Sequence, residues 1–200
     1  MTPRAAGGTV VLLAVVSMLV LGCSAREDDS GRATRGDENT ATAIEIDLPE
    51  GASPLVPIYF PNQRGTLSPE EQAIGPWSNP EEGARLLIEA VLRGPGLESQ
   101  PGELLVAPLP SGTALGVTNL SESAHLYINL VSTEHTRPPV GGSQTELLSV
   151  YSLVDTVLLN VPEIEAVILL WNGRQLPTFA GHLDTSLPLR ADPDLVRARR

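Results

Sequence analysis

The sequence predicts an α+β two-layer sandwich, β-α-β-β-α-β, with two helices on one face of a small mixed sheet. Two amphipathic helix patterns carry that prediction, each bounded by start and stop residues. Short apolar runs of strand character lie before, between and after them. A final Asn172-Gly173 turn adds a closing hairpin arm.

The first run is Leu55-Val-Pro-Ile-Tyr-Phe60, and Pro57 inside it predicts an edge strand or a bulge. Residues 61–78 are polar, with proline and glycine, and predict a loop. Asn79 is a good N-cap, Pro80 fits the first helical position, and Glu82 completes a capping box. Ala84, Leu87, Ile88, Val91 and Leu92 then recur at helical spacing, and Gly94-Pro95 stops the helix. Residues 96–112 read as a loop. Residues 113–120 and 124–131 read as two strands joined by Ser121-Glu-Ser123, a linker of hairpin length. In the second of these, Leu126, Ile128 and Leu130 face one way, while His125, Tyr127 and Asn129 face the other.

After a loop at 132–142, Ser143 and Glu146 predict a second capping box. Leu147, Val150, Tyr151, Val154, Val157 and Leu158 form a wide apolar stripe, ended by Asn160 and Pro162. Glu165-Ala-Val-Ile-Leu-Leu-Trp171 is apolar on both faces and predicts a central strand. Arg174-Gln-Leu-Pro177 is expected to pair back across the turn, and residues 191–200 to form a loose tail.

The N-terminus differs from the rest. Residues 1–8 carry one basic side chain, Arg4, and residues 9–21 form an apolar run of signal-peptide length, short for a bilayer span. The run ends in Val20-Leu21-Gly22-Cys23, which resembles the bacterial lipobox, with an aliphatic residue at −3, a small one at −1 and cysteine at +1. Leu21 departs from the small residue more usual at −2. Cleavage between Gly22 and Cys23 is expected, with acylation of the Cys23 thiol. Two or three acyl chains give stable anchoring where one does not. Ser24 follows, and in Gram-negative bacteria a residue other than Asp there resembles the outer-membrane sorting class; the sequence leaves the envelope type open. Residues 24–43 are polar and lack large apolar groups, which predicts a flexible tether spanning roughly 25 Å r.m.s.. The expected organisation is signal peptide 1–22, lipidated Cys23 and tether 23–50, domain 51–190 and tail 191–200.

Composition narrows the function. The net charge is −11 and the chain has no lysine. Such a chain repels phosphate backbones and anionic head groups, so no nucleic-acid partner is expected and attachment must come from an anchor. Cys23 is the only cysteine, so no internal disulfide can form. His182-x-Asp184 could orient an imidazole for general-base work, but no Gly-x-Ser-x-Gly elbow accompanies it. His125, His135 and His182 lack recognisable zinc-ligand spacing. No catalytic residue, metal or cofactor is expected. Trp171 is expected in the core, and Trp77 over the start of the first helix, with a partner or sugar as its alternative.

Several stretches in order resemble the GerMN domain, the sporulation and spore-germination family. They are Val56-Pro-Ile-Tyr-Phe60, Ala90-Val-Leu-Arg-Gly-Pro95, Pro110-Ser-Gly-Thr-Ala-Leu115, Leu126-Tyr-Ile-Asn-Leu130 and Asp155-Thr-Val-Leu-Leu159. Val161-Pro-Glu-Ile-Glu-Ala-Val167, Asn172-Gly173 and Gly181-His-Leu-Asp-Thr-Ser-Leu-Pro-Leu189 complete the series. Asn129 stands where the family more usually has Asp. The resemblance implies a non-catalytic interaction or assembly module of the cell envelope, facing the periplasm or extracytoplasmic space. Its expected partner is an envelope protein or itself, in cell-wall remodelling, sporulation or germination. Typical spore proteins of the family carry two tandem copies, and the resemblance here covers one. The alternative is an envelope peptidoglycan hydrolase, with His182 and Asp184 in its site, or an accessory to a cell-wall amidase.

Overall fold

The computed structural model describes residues 53–96 and 104–196. Gly22, Cys23, the leader and the expected tether to residue 50 lie outside the described residues, as do 197–200.

The elements in order are β1 (Leu55–Pro61), β2 (Leu67–Ala73), α1 (Pro80–Arg93), β3 (Ala114–Leu120), β4 (His125–Val131), α2 (Ser143–Asn160) and β5 (Ala166–Trp171). A 3-10 turn at Pro193–Leu195 follows. β1 and β2 form a two-stranded antiparallel sheet. β3, β4 and β5 form a mixed sheet in that order, antiparallel between β3 and β4 and parallel between β4 and β5. The α+β class and the mixed sheet are as the sequence predicts, but β1 does not join that sheet.

Residues 61–78 are not simply a loop, because β2 lies within them. The turn before β2 is built by Asn62. Its Oδ1 accepts from the Arg64 and Thr66 amides, and its Nδ2 donates to Thr66 Oγ1 and Ser68 Oγ. A side chain that mimics backbone in this way folds the segment back onto β1 without any strand-forming residues in β2.

One core joins both sheets and both helices. Ile58 and Phe60 of β1 meet Leu87, Ile88 and Val91 of α1. Val150, Leu153, Val154 and Val157 of α2 complete it with Leu126, Ile128 and Leu130 of β4 and Val167, Leu169 and Trp171 of β5. Burial of these apolar side chains is the main stabilising term, about 1.5–3 kcal/mol for each Val, Leu, Ile or Phe.

β5 is an edge strand, not the central one; β4 is central. The outer edge of β5 is covered by the closing arm, which bonds along it. Leu189 exchanges both backbone bonds with Val167, and Arg174 does the same with Trp171. Asn172 and Gly173 both have positive φ, as the type I′ turn requires. The arm pairs at these points and at Thr178–Asp184, without forming a continuous strand. The expected loose tail is held as far as residue 196: the Asp192 amide donates to Asp155 Oδ1, and Val196 bridges to Leu67.

α1 begins as predicted, with Asn79 Oδ1 accepting from the Glu82 amide at 2.9 Å. Glu82 reaches back one residue further than a standard box, to the Ser78 amide and hydroxyl. Trp77 lies over this first turn. A Cβ on Gly83 would stand 2.9 Å from the indole. Glycine therefore sits inside a helix, at some propensity cost, because the ring needs the space. Gly83→Leu is expected to expel Trp77 and destabilise the domain by about 1–3 kcal/mol. In a Trp171→Phe background, a red-shifted tryptophan emission checks it.

Candidate functional site

Ser143 and Glu146 do not form a capping box. The N-cap of α2 is Gly142, at φ 81°, with no side-chain cap bond. Glu146 instead turns inward and is completely buried. Its Oε1 accepts from the amides of Ala180 at 2.7 Å and Leu183 at 2.9 Å. Its Oε2 accepts from the His182 amide at 2.9 Å and stands 2.8 Å from His182 Nδ1. The turn 180–183 thus wraps a ring of donors around one carboxylate. Burial alone would raise the Glu146 pKa, but the Ala180 and Leu183 amides and His182 outweigh it and hold the carboxyl below its usual range. Its place in the first turn of α2 also suits a negative charge.

This arrangement replaces the His182–Asp184 pairing. Asp184 Oδ1 is occupied by the Ser186 amide and hydroxyl, which lower its pKa. His182, with its side chain 52% exposed, is oriented by Glu146. A carboxylate on Nδ1 is also the orientation seen in acid–base relays. Here the same carboxylate binds three backbone amides, so it is a structural staple for the arm. His125 lies on β4, His135 in the loop after it and His182 in the arm. Among the described residues, no group of three or more His, Cys, Asp or Glu side chains is arranged to hold a metal ion.

Asp155 is a second buried carboxyl on α2. Oδ1 accepts from the Asp192 amide at 2.9 Å, and Oδ2 has no partner. Burial pushes its pKa up to about 7; the Asp192 charge adds to this, and the Asp192 N–H opposes it. Tyr59 and Tyr151 share this region, with pKa values raised by burial first and by nearby carboxylates second.

The strand edges are treated unequally. α2 seals the outer edge of β1 with polar side chains. Ser152 Oγ donates to Tyr59 O, Thr156 Oγ1 accepts from the Tyr59 amide, and Asn160 Nδ2 donates to Pro57 O. The Val106 amide continues the cover at Pro61 O. β2 carries Pro69 and the Val196 bridge, and β5 carries Leu189 and Arg174. Among the described residues, no segment bridges to the outer edge of β3. That strand is largely exposed, and its Val117 is 74% exposed. Strand pairing is interrupted between Leu115 and Thr118 by a bulge. Gly116 fits closely there: a Cβ would stand 2.9 Å from Asn129 Nδ2 and 3.1 Å from the Asn129 carbonyl oxygen.

A groove of about 380 Å³ lies between the β1–β2 turn, residues 106–108 and the start of α2. Gln144 Nε2 donates to Gly65 O beside it, and Arg64 is exposed on its rim. Trp77 is half-buried and packs against the core over the first turn of α1. Trp171 is buried edge-on against Phe179, with ring centroids 6.0 Å apart. Among the described residues, no helix is long and apolar enough to cross a membrane.

No curated protein matches this sequence. The fold is similar to the tandem GerMN domains of the sporulation protein GerM from Bacillus subtilis, with a TM-score of 0.52 and 18% identity. That match covers 68% of this chain and 45% of the tandem structure, so the chain spans less than half of that protein. The first GerMN domain of the same protein, taken alone, gives a TM-score of 0.50 and 18% identity over 68% of this chain and 96% of that one. The family described as Germane, sporulation and spore germination, matches residues 57–177. That segment runs from β1 through both helices to the closing arm, and covers more than half of the chain: this protein belongs to the Germane family.

Proposed function

We propose that this protein is an envelope lipoprotein that acts as a non-catalytic interaction module in the sporulation and germination processes with which its family is linked. Acyl chains on Cys23 hold it at a membrane, and the domain engages a protein partner. The observation that carries this reading is the edge of β3, to which no described segment bridges, whereas the edges of β1 and β5 are covered by the chain itself. Evolved domains usually blunt such edges because they recruit strands. An edge left open beside exposed Val117 is a surface for recognition.

The oriented His182 favours one other reading, an envelope hydrolase. Two measurements separate them. The full chain is expected to sediment with membranes and to release no muropeptides from purified peptidoglycan. Cys23→Ser is expected to move it to the soluble fraction. Membrane retention of Cys23→Ser would overturn the anchor. Muropeptide release that is lost in His182→Ala would overturn the non-catalytic reading.

A further inference from the structure

Resting on that reading, we propose that the outer edge of β3 accepts an extended, cationic segment of a partner protein as an added strand, in preference to a second copy of this chain.

Backbone geometry defines the site. The Ser121 amide bonds to His125 O across the β3–β4 hairpin. In an antiparallel pair the bonded residues alternate, so Asn119 faces Tyr127 through backbone bonds. Thr118 and Leu120 consequently turn their N–H and C=O groups away from β4. The bulge before Thr118 limits the regular stretch to residues 118–120, so the added strand must be short. Exposed Val117 offers an apolar contact next to it.

Charge selects the occupant. Glu81 of α1 reaches Thr118 Oγ1 at 3.4 Å. Glu122 stands exposed in the turn that follows Leu120. The Glu134 carboxylate lies beside Gly112, just before β3 begins. No arginine occurs in residues 110–131, and the chain has no lysine. Arg85, one turn beyond Glu81 on α1, is paired with Glu89 at 2.7 Å, so carboxylates stand at both ends of β3 and Glu81 along its side. An approaching strand with lysine or arginine on alternate positions is steered in and held, while an acidic one is repelled. A second copy brings its own Glu81, Glu122 and Glu134 to the same line, together with a net charge of −11. Edge-to-edge pairing of two copies is opposed by both.

The test uses the full chain and two blocked peptides of equal length, one alternating lysine with valine and one alternating glutamate with valine. The lysine peptide is expected to slow amide exchange at Thr118 and Leu120 by about tenfold or more, an effect that weakens with salt. The glutamate peptide is expected to leave both amides unchanged. The surface variant Glu81→Gln/Glu122→Gln is expected to lose most of the discrimination while keeping the fold. Equal protection by both peptides, protection confined to another surface, or a dimer that protects the same two amides would each overturn the proposal. None of those results touches membrane anchoring or the peptidoglycan assay, so this assignment can fail while the module reading stands.

Discussion

Glu146→Ala is expected to lower the stability of the domain by about 2–4 kcal/mol, because several backbone donors lose one charged acceptor at once. The variant leaves the part-buried Ala180, His182 and Leu183 amides without their shared acceptor, and each loses a charge-assisted bond. The unfolding midpoint should fall by roughly 10 °C in a calorimetric scan. Glu146→Gln keeps an acceptor oxygen for part of the ring and should lose less. The pH dependence follows from a carboxyl whose folded-state pKa is lowered. Its contribution is complete above the ordinary carboxylate range and disappears as pH falls below about 4. A Glu146→Ala protein that melts with the parent would show that the arm is held by other contacts.

Asp155 acts in the opposite direction and in a different window. Its folded-state pKa is raised to about 7, so the folded chain holds a proton that the unfolded chain releases near pH 4. Stability from this group is complete at acid pH and is lost as pH rises towards 7, on the order of 4 kcal/mol in all. Between pH 5.5 and 8 the expected loss is about 2 kcal/mol, read from urea midpoints. Glu146 is already ionised throughout that interval and contributes no slope. Asp155→Asn retains an oxygen for the Asp192 amide and should flatten this dependence. An equal loss between pH 5.5 and 8 in parent and variant would contradict the assignment.

The two carboxyls show what a linear reading can and cannot reach. α1 was legible because its stripe, its Asn79 cap and its Gly94 stop are local signals that agree. The β3–β4 hairpin and the Asn172-Gly173 turn were legible for the same reason. β2 was not, since Leu-Ser-Pro-Glu-Glu-Gln-Ala has no β-branched residue and becomes a strand only through the Asn62 turn and its pairing with β1. The apolar faces of β5 suggest a central strand, yet it lies at the sheet edge, where the arm takes the place of a neighbouring strand.

The polar residues of α2 carry a more general lesson. Ser149, Ser152, Thr156 and Asn160 recur at helical spacing, and no local signal says what they bond. Three of them seal the edge of β1, and Ser149 donates to Pro108 O. Glu146 fitted a capping box equally well by spacing alone. In each case the residue type announced a hydrogen bond, but the partner lay more than thirty residues away. The candidate docking edge was legible as a strand, while its openness depended on where every other segment went.

Photo-crosslinking in living cells tests most directly whether the lipid tether and the β3 edge act together. A photoreactive amino acid at Val117 is expected to give one discrete envelope-protein adduct. It should be absent when the probe is moved to Leu187, a comparably exposed apolar residue on the arm, and lost when Cys23 is replaced by serine. Equal adducts from both positions, or an adduct at 117 that survives Cys23→Ser, would contradict the account.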